Sequence, residues 1–404
     1  MEAILFLLLL PYVALIIYFS IRLYIPKQYS AADTIDTDGI IAIVVACKNE
    51  AENLPALLES IERQHSMPKE IIFVDDNSTD NTYSILQSFA VKIPNVQVLK
   101  SSGQGKKAAL LEGVTQSSCK YILFTDADCI LPEEFCLKAK IFLTTHDTDM
   151  LLGGVKLHYK DKNDATAEGK KITNPFRAFE ILDFCSLQAV TAGAAMMGKP
   201  IMCNGANMIV RRDVYLQNVS GIRSDIPSGD DMFMLHNIKA SKGKICYLFT
   251  PEQIISTLGN DAPLDFFTQR KRWIGKLPAY TDKFTIVTAT ITAVTNIMLA
   301  SIYTATLFAH NLWILSIMAY IIKLAIDCFA LIPYLRIINK RNLLYYMPLM
   351  SIFYPFYITI TGTISVFSFV IKSNRKKILR NKIIICNFAF SINNNILIWD
   401  LTNF

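Results

Sequence analysis

Four long apolar stretches frame a polar middle. Ile4–Leu23, Phe284–Ala309, Leu312–Ile337 and Leu343–Ile371 are nearly free of charge. Each is long enough for the ~20-residue helix that crosses a bilayer core. The segment between them, 31–282, has ordinary globular patterning. Within it, Ile40–Ala46, Ile71–Val74, Val96–Leu99 and Tyr121–Thr125 are short apolar runs, the pattern of strands buried on both faces. Helical spacing follows each run, from Asn53, over Asn81–Phe89, over Lys107–Val114 and over Glu133–Phe142. Asn53 is the N-cap candidate of the first helix, with Pro55 in its first turn. This alternation predicts an α/β fold, a mostly parallel sheet with helices on both faces. Right-handed crossovers restrict it to a doubly wound, Rossmann-like arrangement, with transmembrane helices outside it.

Composition and charge refine the picture. A chain of 404 residues accommodates one domain of roughly 200–250 residues plus a membrane region. The first apolar stretch lacks a basic start and exceeds the ~7–15 apolar residues of a signal peptide, which predicts an uncleaved anchor over 1–25. Arg22 and Lys27 follow it while Met1-Glu2 precede it, so the positive-inside rule puts the globular domain in the cytoplasm of a multi-pass cell-membrane protein. Four crossings would then leave the basic run Lys372–Lys382 outside, against the same rule. A re-entrant or double pass over Leu343–Ile371, interrupted by Pro348 and Pro355, resolves this. Lys323 and Asp327 lie one helical turn apart inside a span and are expected to pair, either as structure or as the lining of an acceptor path. The nine cysteines include no Cys-x-x-Cys pair, so reduced, mostly buried thiols are expected rather than a zinc site. The net charge of +6 comes partly from basic juxtamembrane runs suited to anionic membrane lipids. No nucleic-acid partner is expected. The tail after Ser391 is Asn-rich.

The candidate chemistry sits where the strands end. Cys47-Lys48-Asn49-Glu50 follows the first strand, Asp75-Asp76-Asn77-Ser78 the second, Gly103-Gln104-Gly105-Lys106-Lys107 the third, and Asp126-Ala127-Asp128 the fourth. In an open α/β sheet these C-terminal strand ends form the ligand edge. Two acids one residue apart repel unless a cation lies between them, and a divalent metal holding a diphosphate satisfies that need. Gly105-Lys106 at a helix start offers N–H groups and an ammonium to phosphate. The Walker spacing is absent, and no Gly-x-Gly-x-x-Gly follows the first strand, which argues against a dinucleotide dehydrogenase. Downstream, Gly229-Asp230-Asp231 reads either as a helix start or as a general base. Gln269-Arg270-Lys271-Arg272-Trp273 reads either as a membrane-interface anchor or as part of the site. Asn174–Gly205 holds a dense apolar cluster around Phe176, Phe179 and Phe184, read as a helix packed on the sheet or as a lipid-guiding surface. Cys203 reads as a packing residue rather than a nucleophile.

Taken in order, seven motifs resemble the membrane-bound family 2 glycosyltransferases, the family of cellulose, chitin, hyaluronan and poly-N-acetylglucosamine synthases and ceramide glucosyltransferase. They are Ala46-Cys-Lys-Asn-Glu50, Val74-Asp-Asp-Asn-Ser78, Gly105-Lys-Lys-Ala108, Asp126-Ala-Asp128, Cys203-Asn-Gly-Ala-Asn207, Gly229-Asp-Asp231 and Gln269-x-x-Arg272-Trp273. The resemblance implies a GT-A domain over 38–276, a membrane region of about three spans over 284–372, and a tail over 373–404. It implies that Ala46, Glu50 and Asp76 hold the nucleotide, and that Lys106 meets phosphate. Asp126 would touch nucleotide and metal, and Asp128 the metal, Mg2+ or Mn2+. Asp231 would be the catalytic base, with Asp230 and Gly229 standing where the family has Glu and Thr. Gln269, Arg272 and Trp273 would cover the diphosphate, with Arg272 stabilising its charge. The implied reaction is inverting transfer from a nucleotide-sugar, UDP-linked by the resemblance, to a lipid-linked or growing glycan acceptor. Processive polysaccharide synthesis is the alternative, and an inactive membrane-bound glycan- or nucleotide-binding scaffold is the alternative of another class. A homo-oligomer or an accessory membrane subunit is the expected partner if a polymer channel is needed.

Overall fold

In a computed structural model, which describes residues 2–25, 40–160, 172, 174–221 and 229–365, the predicted alternation is realised through four strands. Helix α1 (Glu2–Tyr24) precedes β1 (Ile41–Cys47), α2 (Leu54–Glu62), β2 (Glu70–Asp75), α3 (Thr82–Lys92), β3 (Val96–Lys100), α4 (Lys106–Gln116), β4 (Tyr121–Phe124) and α5 (Phe135–Thr145). β1 is apolar without alternation because both its faces are covered. Ala42, Val44, Ile72 and Val74 pack with α4, while Ile41, Ile43 and Val45 pack with α2, α3 and α5.

The rest of the sheet is less regular than the alternation predicts. β5 (Met150–His158), α6 (Pro175–Met196), β6 (Met208–Arg211), α7 (Arg212–Asn218), α8 (Asp230–Ala240), β7 (Ile245–Leu248), β8 (Ile254–Leu258) and α9 (Pro263–Ile274) follow. The sheet order is β3-β2-β1-β4-β6-β5-β7, with β8 on the far half of β5. Among the described strands only β6 runs antiparallel to its neighbours. β5 is shared along its length, Met150 to Gly153 pairing with β7 and Gly154 to His158 with β8. The pairing with β8 sets Thr257 against the loop after β4.

One sequence expectation is corrected locally. Asn53 occupies the N-cap of α2, but its backbone is helical and its side chain makes no capping bond. The Asn53 amide nitrogen instead donates to Glu50 Oε2 at 2.6 Å.

Among the described residues, three helices are long and apolar enough to cross a membrane: α10 (Lys283–Thr306), α11 (Trp313–Ile337) with the turn before it, and α12 (Arg341–Ser365). α12 begins as a 3-10 turn and runs through Pro348 and Pro355 to Ser365 without a break, so no re-entrant turn occurs within it. A proline costs a helix one N–H donor, a loss that a packed bundle tolerates. The remainder of the stretch to Ile371, the basic run Lys372–Lys382 and the Asn-rich tail lie outside the described residues, as does Lys27.

The expected Lys323–Asp327 ion pair forms inside α11. Tyr12 of α1 donates to Asp327 Oδ1 at 2.7 Å, and the Lys323 ammonium lies over the rings of Tyr12 and Tyr354 at 5.1 and 5.3 Å. The pair therefore fastens α1, α11 and α12 to one another.

Helix α6 joins the two halves. Asn174 caps it, accepting from Phe176 N at 3.0 Å. One side packs on β5 and the other on α1 and α11. The approach to α1 is close enough that a Cβ on Gly193 would stand 2.2 Å from the Phe19 carbonyl oxygen. At the other end of the contact, Tyr334 of α11 donates to the Val155 carbonyl of β5 at 2.8 Å. The sheet is thus seated directly on the apolar helices.

Candidate active site

The loops after β1 and β2 are laced together. Asn49 N donates to Ser78 Oγ at 3.0 Å, Thr79 N to Asn49 Oδ1 at 2.8 Å, and Glu50 N to Thr82 Oγ1 at 2.7 Å. The next loop is tied in by Asp76, whose Oδ1 accepts from Gly105 N at 2.9 Å. That bond needs Gly105 at φ +87°, a conformation natural to glycine. Lys48 stands 3.4 Å from the other Asp76 oxygen. Ala46, the penultimate residue of β1, is half-buried beside these loops. Burial pushes the Glu50 carboxyl above its ordinary pKa against the Asn53 hydrogen bond, with Asp128 and Asp126 adding to the rise. Glu50 therefore shares the field of the acids after β4.

Those acids are held differently. Asp126 forms an ion pair with Lys106 at the start of α4. Asp128 Oδ2 accepts from Thr257 Oγ1 at 3.0 Å. Burial, and then the charge of Asp126, raise the Asp128 pKa, so the pair holds negative charge under strain that a cation would relieve. Among the described residues no three His, Cys, Asp or Glu side chains are grouped to hold a metal. The protein's share of a coordination shell is thus two carboxylates. That donor set fits a hard divalent ion which takes its other ligands from phosphate oxygens and water.

Asp231 lies across the cleft, in the first turn of α8. Gly229, at φ +97°, turns the chain into the helix, and a pair of acids there meets the positive end of its dipole. Asp231 Oδ1 accepts from Met232 N at 2.8 Å and Oδ2 from Gly205 N at 3.2 Å. Gly205 is positioned by Asn207, whose buried amide donates to the carbonyls of Gly154 and Gln253 at 2.7 and 2.8 Å. Burial and the neighbouring Asp230 raise the Asp231 pKa, opposed by Lys276 and Lys106. Burial works against the Lys106 charge, but Asp126, Asp230 and Asp231 outweigh it and raise its pKa. Lys106 is therefore the electrostatic link between the two acidic groups. A small cavity beneath it is lined by Phe124, Thr125, Gly205, Tyr215 and Asp230. Cys203 packs nearby with its thiol pushed up by burial, as a packing residue would be.

Helix α9 closes one side. Gln269 Oε1 accepts from Arg270 Nη1 at 2.7 Å and from Asn260 Nδ2 at 3.4 Å. Trp273 is half-buried with the Arg270 guanidinium 4.2 Å above its ring. Arg272 is exposed at the end of the helix, and its charge depresses the pKa of Lys276 beside it, after burial. Lys276 lies against Gly229, where a Cβ would stand 2.9 Å from its Cδ. The sequence did not single out Lys276, Thr257 or Arg270. A lysine three residues past Trp273 and a lone strand threonine carry no pattern of their own.

A mostly parallel mixed sheet with helices on both faces and acidic loops at its strand ends is an arrangement of the GT-A type. Residues 42–213 match glycosyl transferase family 2, so the chain carries a family 2 glycosyltransferase domain. Among curated proteins, the poly-beta-1,6-N-acetyl-D-glucosamine synthase of Staphylococcus epidermidis is 24% identical over 239 residues, covering 58% of this chain and 53% of the relative. Glycosyltransferase AglE of Haloferax volcanii is 25% identical over 196 residues, covering 48% of this chain and 59% of the relative. The chain thus spans between half and three-fifths of these relatives' length. Among solved structures, the mannosyltransferase PcManGT from Pyrobaculum calidifontis, in complex with GDP-Man and Mn2+, superposes with a TM-score of 0.50 at 16% identity. It covers 83% of this chain and 98% of that one, and shares the fold.

Proposed function

We propose that this chain transfers a sugar from a nucleotide-sugar, of the UDP-linked class, to a hydroxyl of a lipid-linked or growing glycan at the cytoplasmic face of a membrane. The observation that carries the reading is the arrangement around Lys106, with Asp126 paired to it on one side and Asp231 within its field on the other. That arrangement supports a donor diphosphate and an acceptor base on opposite sides of one cleft.

Ala46, Glu50 and Asp76 bind the nucleoside, and the Gly105-Lys106 helix start binds phosphate. Asp126 and Asp128 would hold Mg2+ or Mn2+, which when bound neutralises charge gathering on the diphosphate. Asp231 takes the proton from the acceptor hydroxyl, whose oxygen bonds to the anomeric carbon from the face opposite the diphosphate. The bond from that carbon to the phosphate oxygen breaks, and the nucleoside diphosphate leaves with the electron pair. Inversion follows, giving a β-linkage from an α-linked donor. Lys106 and Arg272 offset the departing charge, and Gln269 and Trp273 cover it. A raised pKa suits Asp231 to proton acceptance near neutral pH.

Repeated transfer to one growing chain is the second reading, favoured by the synthase named among the relatives. The same experiment addresses both. Purified protein in lipid vesicles is given a panel of nucleotide-sugars with Mn2+, and products are sized. Products one sugar longer support single transfer, and a ladder supports polymerisation. No nucleoside diphosphate release from any donor contradicts the proposal.

A further inference from the structure

Arg270 is the first of the two cations that the motif spelling leaves unassigned, and it is almost wholly enclosed. It is 3% exposed. Its Nε donates to Asp183 Oδ2 of α6 at 2.8 Å, with Nη2 2.6 Å from the same oxygen. Its Nη1 holds the Gln269 carbonyl oxygen at 2.7 Å. Its guanidinium plane lies between the rings of Phe266 and Trp273, 4.5 and 4.2 Å from their centroids. The Tyr357 hydroxyl of the span α12 interacts electrostatically with both Arg270 and Asp183, and the Tyr357 ring packs on Phe266 and Phe267.

Geometry divides α9 into two working faces. Phe266, Arg270 and Trp273, spaced by four and three residues, turn towards α6 and α12, while Lys271 and Arg272 are exposed. A second polar chain runs behind the first. Asn260 donates from its backbone N and its amide to Glu180 of α6, and from that amide also to Gln269. Tyr159 donates to the other Glu180 oxygen at 2.8 Å. Both residues that flank the diphosphate in the proposed function, Gln269 and Trp273, are thus held by direct contact with one guanidinium.

We propose that Arg270 is a positioning residue, seating Gln269 and Trp273 for the donor diphosphate, and that its Asp183–Tyr357 partnership fastens that seat to span α12. The inference rests on the reading of Gln269 and Trp273 as donor-side residues. A planar fork that bonds on two edges and stacks on two faces is a task for arginine, and lysine cannot reproduce it.

The test uses the full chain in lipid vesicles, with UDP and GDP plus Mn2+ as binding probes and the donor panel as substrates. Arg270→Lys keeps the charge and loses the fork. Tyr357→Phe keeps the ring and loses the hydroxyl, so it folds even if the first variant does not. For the nucleotide that the wild type binds, Arg270→Lys is expected to weaken affinity and raise donor KM by about tenfold or more, since small misplacements of positioning groups are expensive. Tyr357→Phe is expected to raise donor KM about threefold, with kcat per folded enzyme little changed. A purely structural ion pair would lower the yield of folded enzyme and leave KM and nucleotide affinity untouched, and that result overturns the inference. Wild-type protein that binds nucleotide but transfers no sugar, with binding still weakened by Arg270→Lys, overturns the transfer reading and leaves this one standing. Binding of neither nucleotide by the wild type overturns both.

Discussion

Lys106, the first residue of α4, is ion-paired with Asp126, two residues beyond the end of β4. One ammonium therefore serves a carboxylate assigned to metal and phosphate while also standing in the field of Asp231. In the proposed function, donor phosphate would compete with Asp126 for that ammonium, and a cation on Asp126 would free it.

Lys106→Met is accordingly expected to weaken donor binding. A hydrogen bond to a charged group contributes about 1.5–3 kcal/mol, so the nucleotide Kd should rise about 10- to 100-fold in calorimetric titration with Mn2+. An unchanged Kd would mean that Lys106 does not reach phosphate.

Thr257 holds Asp128 from a strand 129 residues away along the chain, by a 3.0 Å bond. Removal of such outer partners costs about 10- to 100-fold in metal affinity. Thr257→Val should raise the Mn2+ concentration for half-maximal activity by that factor, and added metal should restore the rate. Loss of activity that excess metal does not restore would contradict Asp128 as a ligand.

The raised pKa of Asp231 also fixes a stability trend. A carboxyl whose folded pKa lies above its ordinary value of 3.8 binds its proton more tightly when folded. Its contribution to stability is complete below the ordinary value and is lost as pH rises through the folded pKa. At neutral pH the ionised, half-buried group destabilises the fold. Asp231→Asn should therefore melt at a higher temperature than wild type at pH 7, with the difference fading towards pH 4. A lower melting temperature at pH 7 would show that Lys276 and Lys106 outweigh burial.

The seating of the domain on its apolar helices is testable at Gly193. A Cβ there meets backbone, the Phe19 carbonyl oxygen at 2.2 Å, and backbone cannot swing aside. Gly193→Val should cost about 1–3 kcal/mol, the usual range for overpacking, read as a lower melting temperature in detergent. Wild-type stability would mean that α1 and α6 do not pack this closely.

The four strand-end loops were legible because each apolar run stops abruptly at polar residues, and β1 to β4 follow that punctuation. Two features were not. Positions 270–272 are three consecutive cations, and nothing local tells which one turns inward. The answer is Asp183, 87 residues away, together with a tyrosine of a later span. Helix α6 was read as packed on the sheet or facing the bilayer. It is apolar on both sides because it packs on β5 and on α1 and α11 at once, a distinction that composition does not carry. The antiparallel β6 and the divided β5 were also hidden, since short buried strands look alike in either direction.

The central claim is that Asp231 activates the acceptor. The direct measurement compares wild type and Asp231→Asn in lipid vesicles, reading sugar transfer and nucleotide binding side by side. Nucleotide affinity should stay close to wild type while transfer falls about 100- to 10,000-fold, the usual contribution of a general base. Wild-type turnover by Asp231→Asn would contradict it.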